Sequence, residues 1–151
     1  MNIRLIRTNS DNVDFQQLIL RLDKFLTERD KEAHTHCIEY NKLDKIRHVV
    51  LVYSNGVAVG CGAIKEYKPE ISEIKRMFVD DPVRGQGLAT RILLELESWS
   101  VELGFVQSIL ETGRKLPEAM ALYEKNGYLR IPNYDQYACI ESSVCYTKRL
   151  K

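Results

Sequence analysis

Arg84, Gly85, Gln86 and Gly87 are the residues whose types and spacing suit the grip of a phosphate. They lie within the stretch from Glu73 to Thr90, EIKRMFVDDPVRGQGLAT, where apolar and β-branched residues run into a short acidic loop containing Pro82. After Gly87 a long amphipathic pattern begins, so the segment reads as strand, tight turn and helix N-terminus. A helix start leaves backbone N–H groups unpaired and carries partial positive charge. Glycines there permit φ > 0 and let the main chain come close to a ligand. These features together describe a phosphate or pyrophosphate site. An ordinary glycine turn into a helix has the same spacing, and spacing alone does not separate the two.

Two familiar phosphate patterns can be weighed against this turn. A P-loop needs Lys followed by Ser or Thr after its last glycine, whereas Gly87 is followed by Leu88-Ala89. A dinucleotide fingerprint is nearer, with Glu111 at the end of the next strand as a ribose-binding acid. Its third glycine position holds Thr90, Glu111 comes late, and the rest of the chain is too short for paired βαβαβ halves.

Several elements must position this turn. Ile3 to Ile6 reads as a first strand. Ser10 or Asp11 can cap a helix with Phe15, Leu18, Ile19, Leu22, Phe25 and Leu26 on its apolar face. A polar, irregular stretch from Glu28 to Lys45 follows, with a short helix expected around Cys37 to Leu43. His48 to Ser54 and Val57 to Tyr67 form a hairpin about Asn55-Gly56, a type I′ signal. Ile71 to Val79 continues the meander. Leu88, Ala89, Ile92, Leu93, Leu96, Trp99 and Leu103 form a helical stripe ending near Gly104, and Phe105 to Leu110 is a strand. The segment from Glu73 to Leu110 is therefore a β-α-β crossover. Pro117 opens a second helix closed by Gly127, and Tyr128 to Ile131 and Ser143 to Leu150 supply the last strands. The fold class expected is α+β: a mixed, mostly antiparallel sheet with a central β-α-β crossover, flanked by helices.

Composition bounds the partners. The chain has 151 residues, a hydrophobic fraction of 44%, a charged fraction of 28% and a net charge of +1. Those values suit one soluble domain spanning 1–151 and argue against nucleic acid or a membrane surface as partner. No apolar run reaches a membrane span, and the N-terminus lacks a signal-peptide core. Cys37, Cys61, Cys139 and Cys145 form no C-x-x-C pair and read as reduced thiols of a cytoplasmic protein, with Cys139 and Cys145 expected to be buried hydrophobes. His34-x-His36-Cys37 finds no matching ligand pair elsewhere, so no metal is assigned.

Arg84-Gly85-Gln86-Gly87-Leu88-Ala89 resembles the R/Q-x-x-G-x-G/A signature of the GNAT superfamily of acyl-CoA-dependent N-acetyltransferases. The strand Glu73 to Val79 is similar to the one preceding that signature. Glu118 to Tyr128, EAMALYEKNGY, resembles the family's later tyrosine helix. The order of elements fits from near the N-terminus to Leu150.

The resemblance implies acetyl transfer from acetyl-CoA to an amine by direct attack in a ternary complex, with no metal. A non-catalytic acyl-CoA sensor on the same fold is the alternative. It implies that the strand before the signature is splayed from its neighbour after a bulge, with Met77, Phe78 and Val79 lining the pantetheine arm. The N–H groups from Arg84 or Gly85 through Gln86, Gly87, Leu88, Ala89 and Thr90 would cradle the pyrophosphate, aided by Arg84 and the Thr90 hydroxyl. The bland reading of Arg84 is a surface pair with Asp80 or Asp81.

Tyr123 becomes the candidate acid that protonates the departing thiolate, although by spacing it shares an apolar face with Ala119 and Leu122 and reads equally as packing. Glu73 is the candidate base, its bland alternative being an ion pair with Lys75. Glu111 is a second carboxylate for the acceptor side; Tyr137 and Glu39 are weaker choices. The acceptor implied is a small-molecule amine or a protein amino group, and pairing of two copies through terminal strands is expected.

Overall fold

The computed structural model describes residues 2–30, 45–80 and 84–151. In chain order they form β1 (Ile3–Thr8), α1 (Val13–Arg29), β2 (His48–Ser54), β3 (Val57–Lys68), β4 (Ile71–Val79), α2 (Leu88–Glu102), β5 (Gln107–Gly113), α3 (Pro117–Lys125), β6 (Leu129–Ile131), a 3₁₀ turn (Asp135–Tyr137) and β7 (Ser143–Arg149). The strands make one sheet in the order β1-β2-β3-β4-β5-β7-β6. Neighbours are antiparallel except β4 and β5, which run parallel because α2 carries the chain back across the sheet. This is the α+β architecture expected from the sequence.

Local chemistry explains most boundaries. Asn55 and Gly56 both have left-handed φ, 52° and 84°, as a type I′ turn requires. Helix α1 is capped by Asn12, whose Oδ1 accepts from the Phe15 N–H at 3.0 Å, and not by Ser10 or Asp11. Those two are spent on the preceding turn. Ser10 Oγ accepts from Ile46 N–H at 3.0 Å, and the Asp11 N–H donates to Asn9 Oδ1 at 2.9 Å. Strand β5 starts at Gln107, two residues later than expected. The Phe105 N–H still bonds Ser100 O at 2.9 Å, in the helix exit, and the Val106 N–H bonds Glu70 O at 2.8 Å. The strand then continues to Gly113, so Glu111 lies inside it. The helix expected around Cys37 to Leu43 lies outside the described residues.

The sheet has two apolar faces. Phe15, Leu18 and Leu22 of α1 pack with Val49, Leu51, Cys61 and Phe78 on one. Ile92, Leu93 and Leu96 of α2 and Tyr123 of α3 pack with Val50, Val52, Ile74 and Leu110 on the other. Alternate residues of each strand serve opposite faces, as the two-residue period demands. Fully burying one such Leu or Ile contributes roughly 1.5–3 kcal/mol, so packing rather than propensity holds the helices in place. Cys61 and Cys145 are buried thiols. Cys139, expected to be buried, is exposed, because it follows the 3₁₀ turn rather than lying in a strand.

Candidate active site

The site begins where the sheet forks. Strands β4 and β5 are paired only from Ile71 opposite Gln107 to Ile74 opposite Leu110. Just beyond, the register between β3 and β4 jumps, so that Arg76 and Met77 stand between the partners of Cys61 and Ala63. That is a β-bulge, and Arg76 adopts φ 61° within it, a strained conformation for a residue with a Cβ. The bulge is held from both sides. Cys61 Sγ donates to Arg76 O at 3.3 Å, and Arg76 Nη1 reaches Asp23 Oδ1 at 3.4 Å. Gly62 faces the bulge because nothing larger fits. A Cβ there would meet Met77 Sδ at 2.6 Å and Ile92 Cγ2 and Leu96 Cδ1 at 2.8 Å.

A cavity of about 430 Å³ fills the fork. Met77, Phe78 and Val79 line it from β4, Arg84, Gly85 and Ala89 from the turn, Glu111 from β5 and Tyr123 from α3. Met77, Phe78 and Val79 thus line one cavity beside the bulge.

The turn into α2 is built around two glycines. Gly85 and Gly87 have φ of 83° and 77°, and open space lies where their side chains would be. Gly87 is the N-cap residue, no side chain caps the helix, and no acidic residue stands in its first turn. A helix start of this kind can offer its first N–H donors to an anion. Arg84 Nε donates to Val79 O at 2.8 Å, and its guanidinium lies 4.6 Å from the Phe25 ring centre. Asp80 pairs with Arg21, and Asp81 lies outside the described residues. Leu88 turns its side chain into the core, Gln86 is exposed, and Gln86, Gly87, Leu88 and Thr90 fall outside the cavity wall proper.

The titratable groups divide between the two faces. The Tyr123 ring packs edge-on to Tyr128 at 5.7 Å and near Tyr146 at 6.1 Å, and only 4% of the residue is exposed. Burial, and then the nearby Glu111 charge, push its phenol well above the ordinary tyrosine range. It remains a proton donor at neutral pH. Glu111 is pushed up to about 7, first by burial; repulsion from Glu73 and Asp30 adds to this, while the Ser143 hydroxyl and Lys75 oppose it. Ser143 Oγ donates to Glu111 Oε2 at 2.7 Å.

Glu73 is buried and accepts from the Tyr134 hydroxyl at 2.7 Å. It lines a second cavity of about 280 Å³ with Lys65, Tyr67, Lys75, Tyr134 and Asp135. Tyr137 lines the larger cavity, and its ring stands 5.4 Å from that of Tyr134. Glu39, His34, His36 and Cys37 lie outside the described residues, and among the described residues no three metal-ligating side chains gather.

Tyr134 and Ser143 were not anticipated. Tyr134 approaches Glu73 from 61 residues away, and Ser143 approaches Glu111 from 32 residues away. Only sheet register brings such pairs together. The one signal on offer was the tyrosine-rich segment between the last two strands.

A forked sheet with a glycine turn into α2 at its tip, and Tyr123 and Glu111 lining the cavity between, is the geometry to set beside known proteins. The chain matches the acetyltransferase (GNAT) family over residues 15–128. It is 33% identical over 130 residues to an IAA acetyltransferase of Azospirillum brasilense, covering 84% of each chain. It superposes on a Klebsiella pneumoniae structure, provisionally named an acyl-CoA N-acyltransferase, with a TM-score of 0.84 at 28% identity over 99% of this chain and 98% of that one. A GNAT family acetyltransferase from Elizabethkingia anophelis, solved with acetyl-CoA bound, shares the fold at a TM-score of 0.70 and 17% identity, covering 98% of each. The chain belongs to the GNAT family, the acetyl-CoA-dependent N-acetyltransferases. That membership decides for an enzyme over a non-catalytic sensor.

Proposed function

We propose that this enzyme moves the acetyl group of acetyl-CoA onto the amine of a small molecule by direct attack within a ternary complex. The observation that carries the reading is the fork itself. Beyond Ile74, β4 has no β5 partner, and its free edge leads straight to the uncapped N-terminus of α2. An extended pantetheine arm can pair with that edge like an added strand while its pyrophosphate meets the turn. Met77, Phe78 and Val79 line the arm, and the N–H groups from Arg84 through Thr90, with Gly85, Gln86, Gly87, Leu88 and Ala89 between, hold the diphosphate. Arg84 adds fixed positive charge.

Tyr123 protonates the departing sulfur, and one carboxylate of the pair Glu73 and Glu111 on the opposite face takes the proton from nitrogen. Direct attack is favoured over an acyl-cysteine because the thiols near the site are poor nucleophiles. Burial pushes Cys145 up to about 11 and Cys61 up to about 12. A small acceptor is favoured by the second cavity, whose walls combine Tyr67 and Tyr134 with charges of both signs. The acetyltransferase relative named for IAA agrees with a small molecule as acceptor. No helix among the described residues is long and apolar enough to cross a membrane, and the free thiols favour the cytoplasm.

Calorimetry with acetyl-CoA and thiol release with a panel of primary amines test the reading together. Binding plus amine-dependent thiol release is the expected result. A protein that ignores acetyl-CoA overturns it.

A further inference from the structure

Two carboxylates share the acceptor face, and the structure separates their roles. Glu73 and Glu111 sit on adjacent strands, but their surroundings differ. Glu73 Oε2 is tied to the Tyr134 hydroxyl at 2.7 Å. Tyr134 in turn stacks edge-on between Tyr67, at 5.2 Å, and Tyr137, at 5.4 Å. The same loop is pinned by Asn133 Nδ2, which donates to Ser143 O at 2.9 Å and reaches Ile140 O at 3.3 Å. Glu73 thereby anchors the segment between β6 and β7, and it faces the second cavity rather than the fork. Glu111 lines the fork together with Tyr123, and its known fixed partner is the Ser143 hydroxyl.

From this placement we infer that Glu111 is the residue that takes the amine proton, and that Glu73 is a positioning residue that acts through Tyr134 and through its own charge. The inference rests on the acetyl-transfer reading above. Among the described residues, the groups that act on Glu111 fit it. Glu73 and Lys75 approach from β4, Asp30 from the end of α1, Ser143 and Cys145 from β7 and Tyr123 from α3. The carboxylates among them and burial hold the Glu111 proton more tightly, while Lys75 and Ser143 loosen it, so the group titrates close to neutrality. That is where a base is most effective.

The step balances. A bond forms between the amine nitrogen and the thioester carbon, and nitrogen gives one proton to Glu111. The C–S bond breaks, its electron pair goes to sulfur, and sulfur takes the Tyr123 proton. The cycle closes when the proton on Glu111 returns through solvent to the Tyr123 phenolate.

The test uses the full chain, acetyl-CoA and the primary-amine panel, with thiol release followed from pH 5 to pH 9. For the native enzyme kcat/KM should rise with pH and reach half its plateau near pH 7. Glu111→Gln should lose about 10²-fold in kcat and lose that inflection while binding acetyl-CoA as before by calorimetry. Glu73→Gln and Tyr134→Phe should keep an inflection. Glu73→Gln should move it to lower pH, because one repelling charge is gone. Infrared titration of the carboxyl band supplies a readout that needs no acceptor: a band titrating near pH 7 should vanish in Glu111→Gln and persist in Glu73→Gln. Native-like turnover by Glu111→Gln, or loss of the inflection in Glu73→Gln alone, overturns the assignment and leaves the transfer reading standing. Failure of the native protein to bind acetyl-CoA would instead remove that reading.

Discussion

Tyr123 and Glu111 are both driven from their ordinary ranges by the same first cause, burial, and the Glu111 charge raises Tyr123 further. For Tyr123 this keeps a proton available for the leaving sulfur. Tyr123→Phe should lower kcat on the order of 10²-fold with little change in acetyl-CoA affinity, measured by thiol release and calorimetry. An unchanged kcat would reduce the ring to its packing against Tyr128 and Tyr146. For Glu111 the same burial has a structural cost. Its folded form holds a proton more tightly than the unfolded chain does, so its ionisation weakens the fold as pH rises from about 4.5 through about 7. Glu111→Gln should therefore raise stability at pH 8, on the order of 2 kcal/mol, and change little at pH 4.5. Thermal unfolding at the two pH values checks this; equal shifts at both would mean the carboxylate is not strained.

At the scale of elements, the turn and the bulge make opposite demands on glycine. Gly87 needs its left-handed φ, whereas the space around it is open. Gly87→Glu should cost about 1 kcal/mol of fold stability from backbone strain and place a negative charge where phosphate binds. Acetyl-CoA affinity should fall at least tenfold by calorimetry while the circular dichroism spectrum is retained. Gly62 has ordinary φ but no room, with Met77, Ile92 and Leu96 against it. Gly62→Val should destabilise by roughly 1–3 kcal/mol through overpacking, read from denaturant midpoints, and should disturb Met77 at the fork.

These elements show what the sequence could and could not disclose. The 3.6-residue rhythm of α1 and α2, the Asn55-Gly56 turn and the helix start after Gly87 are local signals, and the observed elements follow them closely. The cap of α1 falls on Asn12 rather than Ser10 or Asp11, all competent acceptors; the distant Ile46 N–H, which engages Ser10, is a contact that local sequence does not encode. The partners of Glu73 and Glu111 were hidden for the same reason. Ser143 meets Glu111 through the register of β7 on β5, and Tyr134 meets Glu73 from the loop after β6, so no local spacing encodes either pair.

Across the whole molecule, the larger cavity is bridged by charges from opposite ends of the chain. Arg29 at the end of α1 pairs with Glu118 of α3 at 3.1 Å, and Lys115 lies 3.7 Å from Asp30. All four residues line the cavity. Such exposed pairs contribute roughly 0.2–1 kcal/mol each and are weakened by salt. Glu118→Gln should therefore leave stability nearly unchanged while steepening the fall of the acetyl-CoA association rate with salt, because the freed Arg29 charge attracts the anionic donor, measured by stopped flow. An unaltered salt slope would show that this bridge plays no part in entry.

The parting of β4 from β5 has one more consequence, for the handling of the protein. Past Ile74 and Leu110, two strands carry ladder groups that no neighbouring strand of the fork satisfies, and such edges invite chains to stick to one another. Thioester bound there would act as a sealant as well as a reactant. At a hundredfold excess over its dissociation constant it would add about 2.7 kcal/mol by mass action. Storage with the donor, or with CoA alone, should therefore slow clumping on warming, and light scattering during a temperature ramp would reveal it.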